Sequence, residues 1–128
     1  MMDIMPDRSR RGQTAYRKGH AAEEAAKAAL EKDGWGILAR RLHTPAGEID
    51  IVAEKNGLLA IVEVKARPGL ADAAFALSAR QQARLVAATE IVLAGNPGWG
   101  ARGVRFDLLL VDGRGVVRRI ADAFRGDG

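Results

Sequence analysis

The dipeptide Asn56-Gly57, set between two apolar runs, constrains the fold of this chain more than any other feature of its sequence. Asn-Gly favours a two-residue turn between antiparallel strands, because both residue types tolerate a positive φ. The flanking runs are rich in β-branched residues, so they predict a β-hairpin in which Lys55 faces Leu58. The same register gives three further opposed pairs: Val52 with Ile61, Asp50 with Glu63, and Glu48 with Lys65.

The two faces of this hairpin differ in composition. Opposed residues of an antiparallel pair point to the same face, with Cβ atoms roughly 4.5–5.5 Å apart. One face is therefore predicted to be wholly apolar and to carry Ile49, Ile51, Ala53, Ala60, Val62 and Val64. The other face has Val52 and Ile61 near the turn and four charged residues at its far end: Glu48, Asp50, Glu63 and Lys65.

The opposed carboxylates of Asp50 and Glu63 indicate a cation site. Like charges that face each other across two strands destabilise a sheet, and a cation between them would remove the repulsion. Mg²⁺ or Mn²⁺ fits, because such hard ions take oxygen ligands and commonly use one or two carboxylates with substrate phosphates. Lys65 projects from the same face, where it could position or deprotonate a water for phosphodiester hydrolysis. The alternative is a solvated charged face with a salt bridge between Glu48 and Lys65.

Composition is that of an ordinary single-domain globular protein. The chain has 128 residues, 48% of them hydrophobic, which suffices for one core. The absence of cysteine excludes disulfides, thiolate metal sites and a cysteine nucleophile, and two histidines are too few for a His-rich zinc site. A formal charge of +4 is a mild bias towards polyanions such as nucleic acid. No apolar run approaches a membrane span, and no signal-peptide pattern follows the first arginines, so we expect a cytoplasmic protein without a membrane partner.

The remaining sequence predicts one domain over residues 15–124, between a flexible basic tail at 1–14 and a polar end at 125–128. Composition and hydrophobic spacing predict two helices, at 18–32 and 73–93, and strands outside the hairpin at 35–42, 103–111 and 116–120. The second helix is long enough for a parallel crossover. The order αβββαβ, with a short closing strand, therefore predicts an α/β fold with a mixed sheet flanked by helices.

Five motifs follow one another along the chain: Gly19-x-x-Ala22-Glu23-x-x-Ala26, Gly34-Trp35-x-Ile37, Gly47-Glu48-Ile49-Asp50, Val62-Glu63-Val64-Lys65-x-Arg67 and Arg105-Phe106-Asp107. This succession, over about residues 16–124, resembles the YraN-like family of small bacterial proteins, which are predicted endonucleases. Asp50 followed by Glu63-Val64-Lys65 looks like the D…(E/D)-x-K core of the restriction-endonuclease-like, or PD-(D/E)xK, nucleases. The similarity extends more distantly to archaeal Holliday junction resolvases.

The resemblance implies a restriction-endonuclease-like core and a metal-dependent nuclease that acts on structured or branched DNA, with DNA favoured over RNA. The implied catalytic residues are Glu23, Asp50, Glu63 and Lys65. Asp50, Glu63 and the main-chain carbonyl of Val64 would bind the Mg²⁺ or Mn²⁺ ion. Glu23 would face the active site, although from the sequence alone it reads as a first-turn glutamate that the helix dipole favours. Asp107 recurs in the pattern and is expected to be structural.

Nucleic-acid contacts are expected from six polar residues: Arg40, Arg41, Arg67, Arg80, Gln81 and Arg84. For Arg40 and Arg41 the alternative is a solvated edge strand. The YraN-like pattern usually has lysine about where Gln81 stands, so this chain departs from it there, and Arg80 or Arg84 would supply the phosphate contact.

Hypotheses of different classes remain open at this point. The first is the nuclease. The second is a nucleic-acid-binding or protein-interaction module that keeps the fold without cutting, and a third is a role in RNA processing. Pairing of two subunits into a homodimer is also left open by the sequence.

Overall fold

A computed structural model describes the backbone of residues 6–66 and 77–125, and the side chains from residue 19 onward within those ranges. Its elements are, in chain order, α1 (Pro6–Lys32), β1 (Gly36–Thr44), β2 (Gly47–Lys55), β3 (Leu58–Ala66), α2 (Ala79–Gly95), β4 (Val104–Val111) and β5 (Val117–Phe124). The prediction of a mixed α/β fold is confirmed. None of the described helices is both long and apolar enough to cross a membrane.

The strands form one sheet in the order β1-β2-β3-β4-β5. Neighbouring strands are antiparallel except β3 and β4, which run parallel. The connection between these two strands contains α2, as the predicted crossover requires. The carboxyl ends of β3 and β4 therefore lie at one edge of the sheet, and the Asn56-Gly57 turn lies at the opposite edge.

The hairpin has the predicted register near its turn. Lys55 pairs with Leu58 and Val52 with Ile61, and the turn residues Asn56 and Gly57 have φ values of 52° and 83°. These positive angles are the ones that Asn-Gly adopts most easily, so the turn follows from local chemistry.

Regular pairing between β2 and β3 runs as far as Ile51 and Val62. The predicted opposed pairs of Asp50 with Glu63 and of Glu48 with Lys65 lie beyond this point, and the regular ladder does not include them. The physical reason is that the Asp50 side chain bonds to the backbone of β3 in place of a main-chain partner.

Apolar residues cover both faces of the sheet, as is usual when helices pack on both sides. Under α1 lies a cluster that includes Leu30, Ile51, Val62 and Leu109. Under α2 lies a second cluster that includes Ile49, Val52, Ile61, Leu85 and Phe106.

The position of Ile49 corrects the sequence prediction, which puts it on the same face as Ile51. Ile49 pairs with Leu42 of β1 and Ile51 pairs with Arg40, and the intervening Arg41 has a φ of 49°. A left-handed residue inside a strand disturbs the alternation of side chains, as in a β-bulge. The sheet is therefore irregular at the level of Arg41 and Asp50.

The helices begin at other residues than predicted. α1 begins at Pro6 rather than near residue 18, so the helix includes residues 6–14 of the predicted basic tail. Proline suits the first turn of a helix, where a missing N–H needs no partner. α2 begins at Ala79 rather than near residue 73, because Ser78 caps it. Residues 1–5 and 126–128 of the predicted ends lie outside the described residues.

Candidate active site

The site lies where β2 and β3 separate. Oδ2 of Asp50 accepts a hydrogen bond from the main-chain N–H of Val64 at 2.8 Å. The carboxylate replaces a main-chain acceptor, so the strands can part while the Val64 N–H stays satisfied. In a strand the N–H and C=O of one residue point to the same side. The Val64 carbonyl is therefore expected to face the same gap as the Asp50 carboxylate.

Glu63 is the buried carboxyl group of the site. Its side chain is 6% exposed, and it hydrogen bonds with the carboxyl group of Asp50. Burial, followed by the hydrogen bond with Asp50 and its negative charge, raises the pKa of Glu63 to about 7. Near neutral pH the Glu63 carboxyl group is therefore protonated for much of the time.

Two cations approach Glu63. The Nζ atom of Lys65 lies 3.6 Å from Oε2 of Glu63, and Nη2 of Arg84 lies 3.7 Å from the same oxygen. Both distances are longer than a hydrogen bond. The charges of Lys65 and Arg84 lower the pKa of Glu63, but burial and Asp50 raise it by more. The two cations therefore do not fully offset the burial of Glu63 and the negative charge of Asp50.

Gly47 allows Arg84 to reach this position. A Cβ atom on Gly47 would lie 2.7 Å from Cδ of Arg84, and Gly47 has a φ of 140°, which side-chain-bearing residues rarely adopt. The Gly47-Glu48-Ile49-Asp50 motif thus combines a carboxylate with a glycine that leaves room for a cation from α2. The sequence around Gly47 does not reveal this role, since the contact of Gly47 is with Arg84 on a distant helix.

Glu23 on α1 reaches the other side of the gap. Its side chain is 8% exposed, and it pairs with Nη2 of Arg40 at 3.0 Å and with Nε of Arg41 at 3.0 Å. A cavity of about 180 Å³ brings Glu23 and Asp50 together; its lining also includes Arg41, Glu48 and Val64. The helix therefore places Glu23 in the same cavity as Asp50, with its own charge matched by two arginines.

Arg40 and Arg41, expected to contact nucleic acid, are partly exposed and form ion pairs with glutamates of α1. Arg40 also pairs with Glu24 and thereby lowers the pKa of that carboxyl group. A guanidinium group held by two glutamates would have to exchange partners before it could bind a phosphate. β1 is an edge strand and both arginines are partly exposed, so the alternative of a solvated edge stays open.

The other expected nucleic-acid contacts have different surroundings. The side-chain oxygen of Gln81 accepts a hydrogen bond from the main-chain N–H of Ser78 at 3.0 Å, and the main-chain N–H of Gln81 donates to Ser78 Oγ at 3.1 Å. Gln81 therefore completes a capping box at the start of α2. Arg80 is exposed, and Arg84 is 44% exposed. Arg67 lies outside the described residues.

The alternative of a charged, solvated face fits part of the hairpin. Glu48 pairs with the exposed His43 at 3.2 Å rather than with Lys65. Glu63, in contrast, is buried, and Lys65 is 19% exposed. The polar face is thus solvated at Glu48 and closed at Glu63.

The residues present suit a hard divalent cation. Among residues 19–66 and 77–125, no group of three or more histidine, aspartate or glutamate side chains is arranged to hold a metal ion. Mg²⁺ commonly needs fewer, because water and substrate phosphates complete its coordination. Asp50 and Glu63 supply carboxylate oxygens and Val64 supplies a carbonyl, and the raised pKa of Glu63 shows that this position favours a bound positive charge. This donor set fits Mg²⁺ or Mn²⁺.

Comparisons with known proteins cover most of the chain. The Uncharacterised protein family UPF0102 matches residues 22–111. A UPF0102 protein of Granulibacter bethesdensis is 62% identical over 117 residues, which are 91% of this chain and 74% of that protein. A UPF0102 protein of Azorhizobium caulinodans is 44% identical over 119 residues, 93% of this chain and 91% of its own. One of Rhodopseudomonas palustris, strain BisB5, is 48% identical over 110 residues, 86% of this chain and 84% of its own.

Proposed function

This chain belongs to the UPF0102 family, and we propose that it is a metal-dependent nuclease that hydrolyses phosphodiester bonds in structured or branched DNA. The observation that carries the proposal is the buried Glu63 carboxyl group, whose pKa is raised to about 7 beside Asp50, with the Lys65 amine 3.6 Å from it. Carboxyl groups with strongly raised pKa values are concentrated at catalytic sites. We also assign the fold to the restriction-endonuclease-like class, on the order of the elements and the place of these residues on β2 and β3.

Asp50, Glu63 and the Val64 carbonyl would hold Mg²⁺ or Mn²⁺. When bound, such an ion polarises a phosphoryl oxygen and favours ionisation of water. Asp50 keeps its geometry through the hydrogen bond from Val64, and burial of Glu63 excludes water from one side of the gap. The protein would thereby present oxygen ligands whose positions change little on binding.

Lys65 and Arg84 supply the positive charge that phosphoryl transfer requires. Lys65 orients the attacking water and stabilises negative charge that develops on the phosphate. Arg84 lies 3.7 Å from Glu63, too far for a hydrogen bond, and is partly exposed. Its guanidinium group could therefore turn to bind a phosphate oxygen. Glu23 borders the cavity of Asp50 and positions water there.

The proposal is tested by calorimetry and by cleavage. Mn²⁺ and Mg²⁺ should bind the wild-type chain, and Glu63→Ala should abolish the binding heat. Branched, flapped and single-stranded DNA should be cut only with metal, and Lys65→Ala should remove cutting. Lys27→Ala is the matched control, because Lys27 forms a surface pair with Glu31 on α1. Cutting without metal, or equal cutting by the two lysine variants, would refute the assignment.

A second candidate is a nucleic-acid-binding module that does not cut. It is favoured by Gln81, which is bound into a helix cap where the family pattern has lysine. This candidate predicts DNA binding that weakens with salt and is indifferent to Asp50→Asn and Glu63→Gln.

A further inference from the structure

A second polar site lies at the other end of the sheet, beside the hairpin turn. Here a cleft of about 450 Å³ is lined by Trp35, by Asp33 and by four cationic side chains: Lys55, Arg102, Arg105 and Arg119. We call it the basic cleft. It also touches Leu58, and since a strand rises about 3.3 Å per residue, Leu58 and Lys65 lie roughly 23 Å apart along β3. The basic cleft is therefore separate from the carboxyl pair.

Asp107 holds two of these arginines in place. It is fully buried and receives two hydrogen bonds of 2.8 Å from Arg105, while Nε of Arg119 lies 3.3 Å from its second oxygen. Both guanidinium groups also face the ring of Trp35, at 5.3 Å and 5.1 Å from its centroid. The motifs Gly34-Trp35 and Arg105-Phe106-Asp107, which have no part in the proposed nuclease site, thus meet in the basic cleft.

Two buried donors in the basic cleft lack an acceptor. In the part of the chain whose side chains are described, the buried side-chain nitrogens without a hydrogen-bond partner are Nε1 of Trp35 and Nε of Arg119. Nε of Arg119 is near Asp107 but is not aligned for a hydrogen bond. Unsatisfied buried donors are uncommon and destabilising. An acceptor that entered the floor of the cleft would satisfy both.

Positive charge exceeds negative charge around the basic cleft. Four cations are opposed by Asp33 in the lining and by Asp107 beneath it. A hydrogen bond from Arg119 and the charge of Lys55 lower the pKa of Asp33. Arg102 forms no ion pair with another described residue, and its stem packs against Gly57. One cation at the mouth is thus available to a ligand.

We propose that the basic cleft binds the phosphate group of a nucleotide, either free or within a nucleic-acid strand. Guanidinium groups bind phosphate oxygens through charge-assisted hydrogen bonds. Arg102 has no competing ion pair among the described residues, Arg105 keeps Nη1 beside the pair that it donates to Asp107, and Arg119 would exchange Asp33 for the phosphate. The Trp35 N–H supplies a further donor. The volume is within the range of about 300–1,000 Å³ that is typical of small-molecule sites, and it exceeds what a phosphate alone would fill. This inference goes beyond the proposed nuclease and depends on neither metal nor Lys65.

Nuclear magnetic resonance of the full chain tests the proposal directly. The chain has two tryptophans and hence two indole N–H signals. Adenosine monophosphate, added in metal-free buffer, should shift the Trp35 signal. The signal of Trp99, which packs against the α2 side of the sheet, should stay. Adenosine without phosphate is the control. An unchanged Trp35 signal, or an equal shift with adenosine, would overturn the proposal.

Substitutions locate the binding. Arg102→Ala should weaken the affinity for adenosine monophosphate roughly tenfold, the effect of one lost charge-assisted hydrogen bond. Arg114→Ala, in the turn at the other end of β4, is the matched control and should bind as the wild type does. Asp33→Asn should strengthen binding, because it removes a carboxylate that competes for Arg119. Equal affinities for the Arg102 and Arg114 variants would overturn the proposal.

The same titration distinguishes the source of the phosphate and separates this site from the nuclease site. If a short single-stranded oligonucleotide shifts the Trp35 signal and requires Arg102, the basic cleft serves a strand. If adenosine monophosphate alone does so, it serves a free nucleotide. Glu63→Gln should leave both results unchanged, so loss of the metal site and loss of the basic cleft are told apart.

Discussion

The Asp50 carboxylate accepts the Val64 main-chain N–H at 2.8 Å, immediately beyond the last regular pair of the central hairpin. One side chain thus ends the ladder and also occupies the gap that its ending creates. The carboxyl group next to it, on Glu63, is buried and takes up a proton. Most of the behaviour expected of this protein follows from that arrangement.

The stability of the fold should fall as pH rises from about 5 to about 8. The pKa of Glu63 is about 7 in the folded chain against 4.5 for the free group, so the folded state binds the extra proton between these values. A raised acid pKa lowers the unfolding free energy as pH increases through this window, by at most about 3 kcal/mol. Urea unfolding of the wild type and of Glu63→Gln in metal-free buffer measures the difference. Parallel pH profiles for the two proteins would contradict this prediction.

Asp50→Asn should lower the pKa of Glu63 and stabilise the metal-free protein by about 0.5 kcal/mol, since a like charge is removed. The amide oxygen can still accept the Val64 N–H. Asp50→Ala is the control: it leaves that N–H without an acceptor and should destabilise the fold by about 1–3 kcal/mol. Carbon-detected titration of Glu63 and denaturant unfolding measure both effects. A loss of stability in the asparagine variant would mean that Asp50 has a structural partner that requires its charge.

Gly47→Ala should destabilise the fold by about 1–3 kcal/mol, because its φ disfavours a side chain. The new Cβ would also press on Arg84, 2.7 Å from its Cδ. Thermal or urea unfolding should show the effect, with Gly98→Ala as control, since a Cβ there meets no atom within 4 Å. Adding Arg84→Ala to Gly47→Ala should recover the steric part of the loss. Equal effects at Gly47 and Gly98 would argue against this account.

Asp107→Ala should cost about 3–5 kcal/mol, the usual effect of removing one partner from a buried ion pair. Asp107 raises the pKa of Arg105 through their hydrogen bond; without it Arg105 loses its buried acceptor and Arg119 loses a buried opposite charge. Asp33→Ala is the matched control, because Asp33 is 58% exposed and pairs with Arg119 at the surface; its loss should lower the unfolding free energy far less. Unfolding by urea compares the two.

Gln81→Lys should weaken the cap of α2 by up to about 1 kcal/mol, since Ser78 loses its reciprocal partner. Gln81 lies one helical turn before Arg84 and therefore on the same side of α2. If the lysine of the family pattern acts on phosphate, this variant should also cut DNA faster with metal. Unchanged cleavage would place that lysine outside the reaction in this chain.

Local chemistry made the hairpin predictable. Asn56 and Gly57 determine the turn, and the turn determines which residues pair as far as Ile51 and Val62. The same register, counted from the turn, predicted that Asp50 and Glu63 lie close together. The end of the ladder did not, because a side chain that bonds to a backbone N–H leaves no mark on the alternation of apolar residues.

Contacts between distant segments were beyond the sequence pattern. Glu23 binds Arg40 and Arg41, 17 and 18 residues away. The basic cleft joins Asp33 to Arg119 across 86 residues of chain. Charge and spacing along one element reveal neither pairing, since each depends on where the elements pack. The early start of α1 was missed for another reason: residues 6–17 have no apolar stripe, and Ser9, Gly12 and Thr14 are weak helix formers, so neither pattern nor propensity indicates a helix there.

The length of β3 sets the spacing between the two polar ends of the sheet. Because successive residues of a strand point to opposite faces, inserting one residue into each strand of the hairpin would exchange inward and outward side chains. Inserting two would keep the faces and move Lys65 away from the turn by about 7 Å. The distance between these ends can therefore change only by two residues per strand at a time. Relatives with hairpins of equal length would keep the same distance between the two polar sites.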